Sequence, residues 1–260
     1  MATHWDPTLY LKFGNERTRA AADLLARVLL TEPKLIVDIG CGPGNSTALL
    51  RARFPNARII GMDSSPDMLA DAARSGIEAE WVQGDFESFT PPSPPDLIYA
   101  NASLQWSANP LALTQRLFGL LGPGGGLALQ VPHNQDDASY LAVRDVVQSS
   151  RWKDALKNAK QYDPGFAKAT DYYNAIAGLG GASDIWTTTY YHRLDGEDPV
   201  FRFLSGTGLR PFTQALEGEE RAGFEAEIKQ RFARAFPRQG DGSTLFPFRR
   251  LFCIATRPHQ

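Results

Sequence analysis

Asp38-Ile39-Gly40-Cys41-Gly42-Pro43-Gly44 constrains this chain more than any other stretch. The apolar run Leu35-Ile36-Val37 leads into it, and the helix-compatible run Ser46-Thr47-Ala48-Leu49-Leu50 follows. That layout is a parallel strand, a tight glycine turn and a helix. Side chains are absent from such a turn so that a ligand can lie against the backbone. Asp63 ends a second apolar run, Ile59-Ile60-Gly61-Met62, about twenty residues after the loop. A carboxylate at that place accepts hydrogen bonds from the hydroxyls of a ribose. Together the two features point to a ligand that carries adenosine.

Strand-like runs at 35–39, 58–62, 79–82, 96–100 and 127–131 are interleaved with helical patterns at 45–54, 66–75 and 110–121, and a further helix is expected over 15–30. Such alternation predicts an α/β, Rossmann-like, doubly wound sheet with helices on both faces. Pro91-Pro92-Ser93-Pro94-Pro95 reads as a rigid surface loop entering the fourth strand, and Gly122-Pro123-Gly124-Gly125-Gly126 turns the chain into the fifth. The pattern changes near Ala138. A mostly helical stretch to Ala177 ends at Gly178-Leu179-Gly180-Gly181; a Thr/Tyr/Trp-rich strand follows at 184–192, a helical stretch at 199–235 and a last strand at 251–256. The expectation is a single domain over 1–260 with about seven strands, mostly parallel, the last antiparallel. A helical cap is expected from about 138–180 and 197–238.

A chain of 260 residues with 43% hydrophobic and 22% charged residues can bury a large core without disulfide or metal staples. The net charge of −2 provides no overall attraction for nucleic acid or an anionic membrane, and neither is expected as a partner. Cys41 and Cys253, the two cysteines, make neither a disulfide framework nor a zinc site. No run approaches the roughly 18 apolar residues that span a bilayer, and Met1 to Pro7 lacks the apolar core of a signal peptide. A cytoplasmic location is the expectation; oligomeric state is left open.

The glycines decide which adenosine ligand to expect. A dinucleotide loop reads G-x-G-x-x-G, its third glycine permitting close helix packing. Here the spacing is G-x-G-x-G through Gly40, Gly42 and Gly44, and Asn45 stands where the third dinucleotide glycine belongs. That loop opens wider and suits the amino-acid part of S-adenosylmethionine, whose ammonium Asp38 can orient directly or through water. Gly84-Asp85-Phe86 after the third strand and Asn101 after the fourth add weight, since ligands bind at the carboxyl ends of strands in open α/β sheets. Asp85 can accept a hydrogen bond from the adenine amino group, and Phe86 offers an apolar edge. The plainer alternative is that Asp63 and Asp85 cap helices or turns.

The loop, Asp63, Gly84-Asp85, Asp96-Leu97-Ile98-Tyr99 and Leu121-Gly122-Pro123-Gly124-Gly125 resemble the class I S-adenosylmethionine-dependent methyltransferases. Further segments resemble, within that class, the family that methylates trans-aconitate. These are Trp5-Asp6-Pro7, Leu9-Tyr10-Leu11, Tyr99-Ala100-Asn101-Ala102-Ser103-Leu104-Gln105-Trp106, Ile185-Trp186, Thr188-Thr189-Tyr190-Tyr191-His192, Thr207-Gly208-Leu209-Arg210-Pro211 and Arg250-Leu251-Phe252. The resemblance implies S-adenosyl-L-methionine as cofactor and a small tricarboxylate as partner, one carboxylate of which becomes a methyl ester. It places the cofactor on Asp38, Gly40, Cys41, Gly42, Gly44, Asn45, Asp63, Ser64, Met68, Asp85, Phe86, Asn101 and Ala102.

A carboxylate is ionised at neutral pH, its unperturbed pKa being about 4, so no general base is required and no catalytic residue is assigned. Positioning falls to Trp106, His133, Tyr190 and Arg210. Tyr10, Arg17, His192 and Arg250 complete the candidate acid-binding set, because a tricarboxylate needs cations and hydrogen-bond donors and arginine binds carboxylates bidentately. Alternation along a strand puts Tyr190 and His192 on one face and Tyr191 on the other, with sheet packing as the competing use. For Arg210 the competing use is support of the turn before Pro211. Rival readings are a methyltransferase for another small acid, a nicotinamide oxidoreductase disfavoured by Asn45, and a non-catalytic cofactor binder. A nucleic-acid methyltransferase is disfavoured because Asn101-Ala102-Ser103-Leu104 stands where Asn/Asp-Pro-Pro-Tyr would be needed.

Overall fold

The computed structural model describes residues 16–157, 159, 167–206 and 208–259. Helix α1 (Glu16–Ala26) precedes β1 (Leu35–Ile39), α2 (Asn45–Arg53), β2 (Arg58–Asp63), α3 (Pro66–Arg74), β3 (Glu80–Gln83), β4 (Leu97–Asn101), α4 (Pro110–Leu120) and β5 (Gly126–Pro132). Then follow α5 (Ala138–Val147), α6 (Ala169–Ala177), β6 (Ala182–Leu194), α7 (Pro199–Ser205), α8 (Arg210–Ala215), α9 (Gly218–Ala235) and β7 (Thr244–Thr256). The seven strands form one mixed sheet in the order β3-β2-β1-β4-β5-β7-β6.

Burial explains the pattern of each strand. β1 and β5 are buried at every residue and read as nearly continuous apolar runs, as central parallel strands do. β1 pairs in parallel with β2 and β4, β2 with β3, and β4 with β5. β7 runs the other way: Arg257 N–H donates to Gly125 O and His133 N–H to Arg249 O, both at 2.9 Å. As β5 advances, its partner recedes. Helix starts follow local chemistry. Ser65 Oγ accepts from Met68 N–H at 3.3 Å ahead of Pro66, and Asn109 Oδ1 accepts from Ala112 N–H at 3.1 Å ahead of Pro110.

The chain divides into two compact units. One contains the described residues up to Pro132, Ala167–Thr187 and those from Leu251 on. Its core joins Ile39, Ile98, Leu117, Phe118, Leu129, Tyr172, Leu251 and Cys253. The other contains His133 onward through α5 and Thr188–Arg250. Phe212, Phe224, Phe232, Phe246 and Trp152 fill its core, with Trp152 edge-on to Phe224 at 5.6 Å.

Three expectations change in detail. The 199–235 stretch is three helices, interrupted around Gly206 and Gly208 and again at Leu216-Glu217. The last strand starts at Thr244, earlier than 251, because an aromatic zigzag through Phe246 and Phe248 carries it across Pro247. In the expected cap segment 138–180, α5 belongs to the second unit, whereas α6 groups with the sheet, where Tyr172 and Ile176 enter the core.

Candidate functional site

The glycine loop is held from both sides. Gly40 and Cys41 N–H donate to Met62 O at 2.8 and 3.0 Å, and Gly42 N–H donates to Asp63 Oδ2 at 2.9 Å. Asp63 Oδ1 accepts from Ser65 N–H at 2.9 Å. Each carboxylate oxygen keeps a lone pair for a ligand. Gly40 and Gly42 have φ of 68° and 55°, in the left-handed region, but lack a side chain for different reasons. A Cβ on Gly40 would lie 2.4 Å from Ser103 Cβ, whereas one on Gly42 would meet nothing within 4 Å. Gly40 is a packing requirement; Gly42 faces open space that a ligand can fill.

Asp38 is fully buried behind the loop. Ser46 and Thr47 hydroxyls donate to its Oδ2 at 2.7 and 2.6 Å, which anchors the start of α2 in place of a side-chain cap at Gly44. Oδ1 is buried with no hydrogen-bond partner among the described residues. Burial raises the Asp38 carboxyl from 3.8 to about 6, against the lowering effect of the Thr47 and Ser46 hydrogen bonds. Burial, with Asp38 and Asp63 nearby, also pushes the Cys41 thiol up, so Cys41 is a packed, inert side chain.

At the end of β4, Ala102 has φ of 53°, a conformation that an L-residue other than glycine rarely adopts. Its N–H donates to Gln130 O at 2.8 Å, and its carbonyl accepts from Gln105 Nε2 at 2.6 Å. The turn sends Ser103 under Gly40. Asn101 Oδ1 and Ser103 Oγ are buried without hydrogen-bond partners among the described residues. Trp106, in the short 3₁₀ turn Leu104–Trp106, is 52% exposed. Asp85 is exposed and closes a turn by accepting from Glu87 N–H at 2.9 Å, Phe86 packs on the sheet core, and Ser64 and Met68 are exposed.

The second-half candidates separate. His133 and Arg249 exchange two bonds: His133 N–H to Arg249 O, and Arg249 Nε to His133 O at 2.8 Å. Arg249 also pairs with Asp137 at 3.1 Å. Burial, reinforced by Arg249 and opposed by Asp136 and Asp137, lowers the pKa of His133. Tyr190 and His192 share the buried face, as alternation predicts, while Tyr191 is 60% exposed. His192 lies 5.0 Å from the Phe203 ring and 6.4 Å from Phe248, an aromatic packing position. Arg250 stacks on Phe248 at 4.7 Å. Arg210 is an exposed first-turn residue of α8, not a loop residue. Tyr10 lies outside the described residues, and of Arg17 only the helical backbone is described.

Residues 36–125 match the family model described as a methyltransferase domain. The chain is 46% identical to a trans-aconitate 2-methyltransferase of Methylobacterium nodulans over 253 residues, 97% of this chain and 98% of the relative. It is 43% identical to a trans-aconitate 2-methyltransferase of Rhodopseudomonas palustris BisB18, over 97% of this chain and 99% of that one. The chain belongs to the trans-aconitate 2-methyltransferase family. At the level of fold alone, it is similar to the YcgJ protein of Bacillus subtilis, with TM-score 0.59, 13% identity and coverage of 92% and 97% of the two chains. The plantazolicin methyltransferase BpumL in complex with SAH gives TM-score 0.52 at 17% identity, with 97% and 86% covered.

As a member of the trans-aconitate 2-methyltransferase family, the protein takes its methyl group from S-adenosylmethionine. The loop end fits that group on three counts: open space at Gly42, an Asp63 carboxylate fixed by backbone amides, and buried unmatched acceptors on Asp38 and Asn101. Sequence reasoning assigned no role to Ser103 or Trp81. Trp81 carries its indole to 3.1 Å from a Cβ built on Gly44 and to 2.5 Å from one built on Gly61, so it floors the loop. An apolar residue three places before Gly84 is a faint signal; the approach of Ser103 to Gly40 leaves none. Among the described residues no helix is long and apolar enough to cross a membrane.

Proposed function

We propose that the protein transfers the methyl group of S-adenosylmethionine to a carboxylate oxygen of trans-aconitate, forming a monomethyl ester. The observation that carries the acceptor is the extent of the likeness to trans-aconitate 2-methyltransferases, which runs through both units and not only the cofactor loop. Both units are read as parts of one methyltransferase domain.

In this reading Asp63 takes the ribose hydroxyls, Asp85 and Phe86 the adenine, and Asp38 Oδ1 the ammonium, with Gly40, Gly42 and Gly44 as the backbone cradle. Asn45, Ser64, Met68, Asn101 and Ala102 border it. When bound, S-adenosylmethionine supplies an electrophilic methyl group on sulfur, open to in-line displacement. The chain's own residues need not remove a proton, since the attacking carboxylate is ionised. Their task is to orient, desolvate and exclude water, and orientation alone can be worth up to about 7–11 kcal/mol. Trp106 offers an apolar wall that tolerates a sulfonium by cation–π attraction. Arg210 supplies a guanidinium for a carboxylate that is not reacting; a tight ion pair on the reacting one would blunt it. His133, Tyr190 and Arg250 remain positioning candidates.

The test is incubation with methyl-labelled S-adenosylmethionine and trans-aconitate, cis-aconitate, citrate or tricarballylate. Base-labile label on trans-aconitate is expected. Label on another acid alone moves the acceptor, and label on no acid overturns the reading.

A further inference from the structure

The loop Gly84 to Thr90 belongs to no helix or strand, yet α4 holds it at two points. Arg116, on the helix itself, gives its guanidinium to the loop's oxygens. Nη1 donates to Phe86 O at 3.3 Å, and Nη2 donates to Phe89 O and, at 3.5 Å, to Thr90 Oγ1. Just before the helix, Ser107 Oγ donates to Glu87 Oε1 and accepts from Asn109 N–H at 3.0 Å. Asn109 is the residue that caps α4. Asn109 and Arg116 stand seven residues apart, about two turns or 10 Å of helix, so the loop is pinned along a length and not at a point.

The two attachments differ in kind from the loop's other contacts. Phe86 and Phe89 pack on the sheet core, which is an apolar and non-directional contact. Inside the loop, Ser88 and Phe89 N–H donate to Asp85 O at 3.1 and 2.8 Å, which bends the chain without orienting it. A guanidinium is planar and presents its donors in a fixed fork, so it sets the directions of two carbonyls at once. Those carbonyls flank the turn that Asp85 opens. Asp85 Oδ1 is committed to Glu87 N–H at 2.9 Å, and the remaining acceptor capacity of the carboxylate lies mainly on Oδ2.

We infer that Arg116 is a positioning residue for adenine recognition. By fixing the Phe86 and Phe89 carbonyls it fixes the turn that aims the Asp85 carboxylate at the adenine amino group. The Ser107–Glu87 bond is a second stay on the same turn. The inference rests on the adenine role of Asp85 proposed above. It adds that selectivity for the amino group depends on a residue of α4 that does not touch the base.

The experiment compares, by calorimetry, S-adenosylhomocysteine with its analogue in which hydrogen replaces the adenine amino group. Wild type should prefer the first by about tenfold, and Asp85→Ala should erase that preference. Arg116→Ala should weaken S-adenosylhomocysteine about five- to tenfold and leave the analogue within about twofold. General support of the fold would instead weaken both ligands alike. Arg116→Lys keeps the charge and the aliphatic stem but lacks the fork. It should show the same selective loss at smaller size, and it carries the test if Arg116→Ala does not fold. Wild-type preference retained in the Arg116 variants, or equal loss of both ligands, overturns the inference. Wild type with no preference, or Asp85→Ala that keeps it, overturns the adenine role of Asp85, a separate failure seen before Arg116 is changed.

Discussion

The backbone amide of Gly42 donates to Oδ2 of Asp63 at 2.9 Å, so the glycine loop and the end of β2 are one hydrogen-bonded unit. The residue proposed to grip the ribose also shapes the loop proposed to carry the rest of the cofactor. Asp63→Ala should therefore cost affinity twice, through a lost ligand contact and an unmatched Gly42 amide. A loss of about 1–3 kcal/mol in S-adenosylhomocysteine binding is expected by calorimetry. Affinity equal to wild type would leave Asp63 with the turn alone.

Gly40→Ala and Gly42→Ala should part company. Alanine at 40 drives its methyl to 2.4 Å from Ser103 Cβ, and overpacking plus a left-handed backbone should cost about 3 kcal/mol of stability. Alanine at 42 meets nothing within 4 Å and should cost about 1–2 kcal/mol, while its methyl should weaken cofactor binding by entering the space proposed for the cofactor. Urea melts and cofactor titration of the two variants check this; equal effects of both kinds would remove the distinction.

Asp38 should make stability depend on pH. Its carboxyl is raised from 3.8 to about 6 in the fold by burial. A raised carboxyl favours the protonated folded form, so its contribution is full below about pH 4 and is lost as pH rises through about 6. Asp38→Asn mimics the protonated form. Its stability relative to wild type should grow by on the order of 2–3 kcal/mol between pH 4 and 7.5, read from urea unfolding. A cofactor ammonium near Oδ1 favours the carboxylate, so cofactor binding at pH 6 should release protons, visible as buffer-dependent heats.

Arg210→Ala should raise KM for the acid severalfold and leave S-adenosylhomocysteine affinity unchanged. Its side chain is exposed at the start of α8. Parallel loss of both constants, with a lower melting temperature, would assign Arg210 to support of the helix.

What the sequence made legible was local. β1 follows Leu35–Ile39 as read, and α3 and α4 begin at Pro66 and Pro110 behind side-chain caps. Glycines and prolines announce such boundaries through their own torsions. Asp38 and Asp63 were recognisable by their place after apolar runs. The fate of Asp38, sealed against Ser46 and Thr47, depends on how the loop folds back over it. The left-handed Ala102 had no signal, because alanine carries no bias toward that conformation. His192 sits on the face that alternation assigns it, but only packing against Phe203 shows that this face is aromatic core. The breaks between the three helices from Pro199 onward carry glycine and proline signals of the same kind, at Gly206, Gly208, Pro211 and Gly218, so a single helical stretch over 199–235 underused them.

The contact beneath Gly40 also has a genetic reading. Of the atoms that crowd a methyl at that position, the two nearest are Ser103 Cβ and Oγ, and the next, Ser103 Cα, stands at 3.7 Å. Ser103→Gly deletes the first two. Positions 40 and 103 thus share one volume, and what one gains the other must give up. In a screen for revertants of Gly40→Ala, the expected suppressor is a loss of side chain more than sixty residues away.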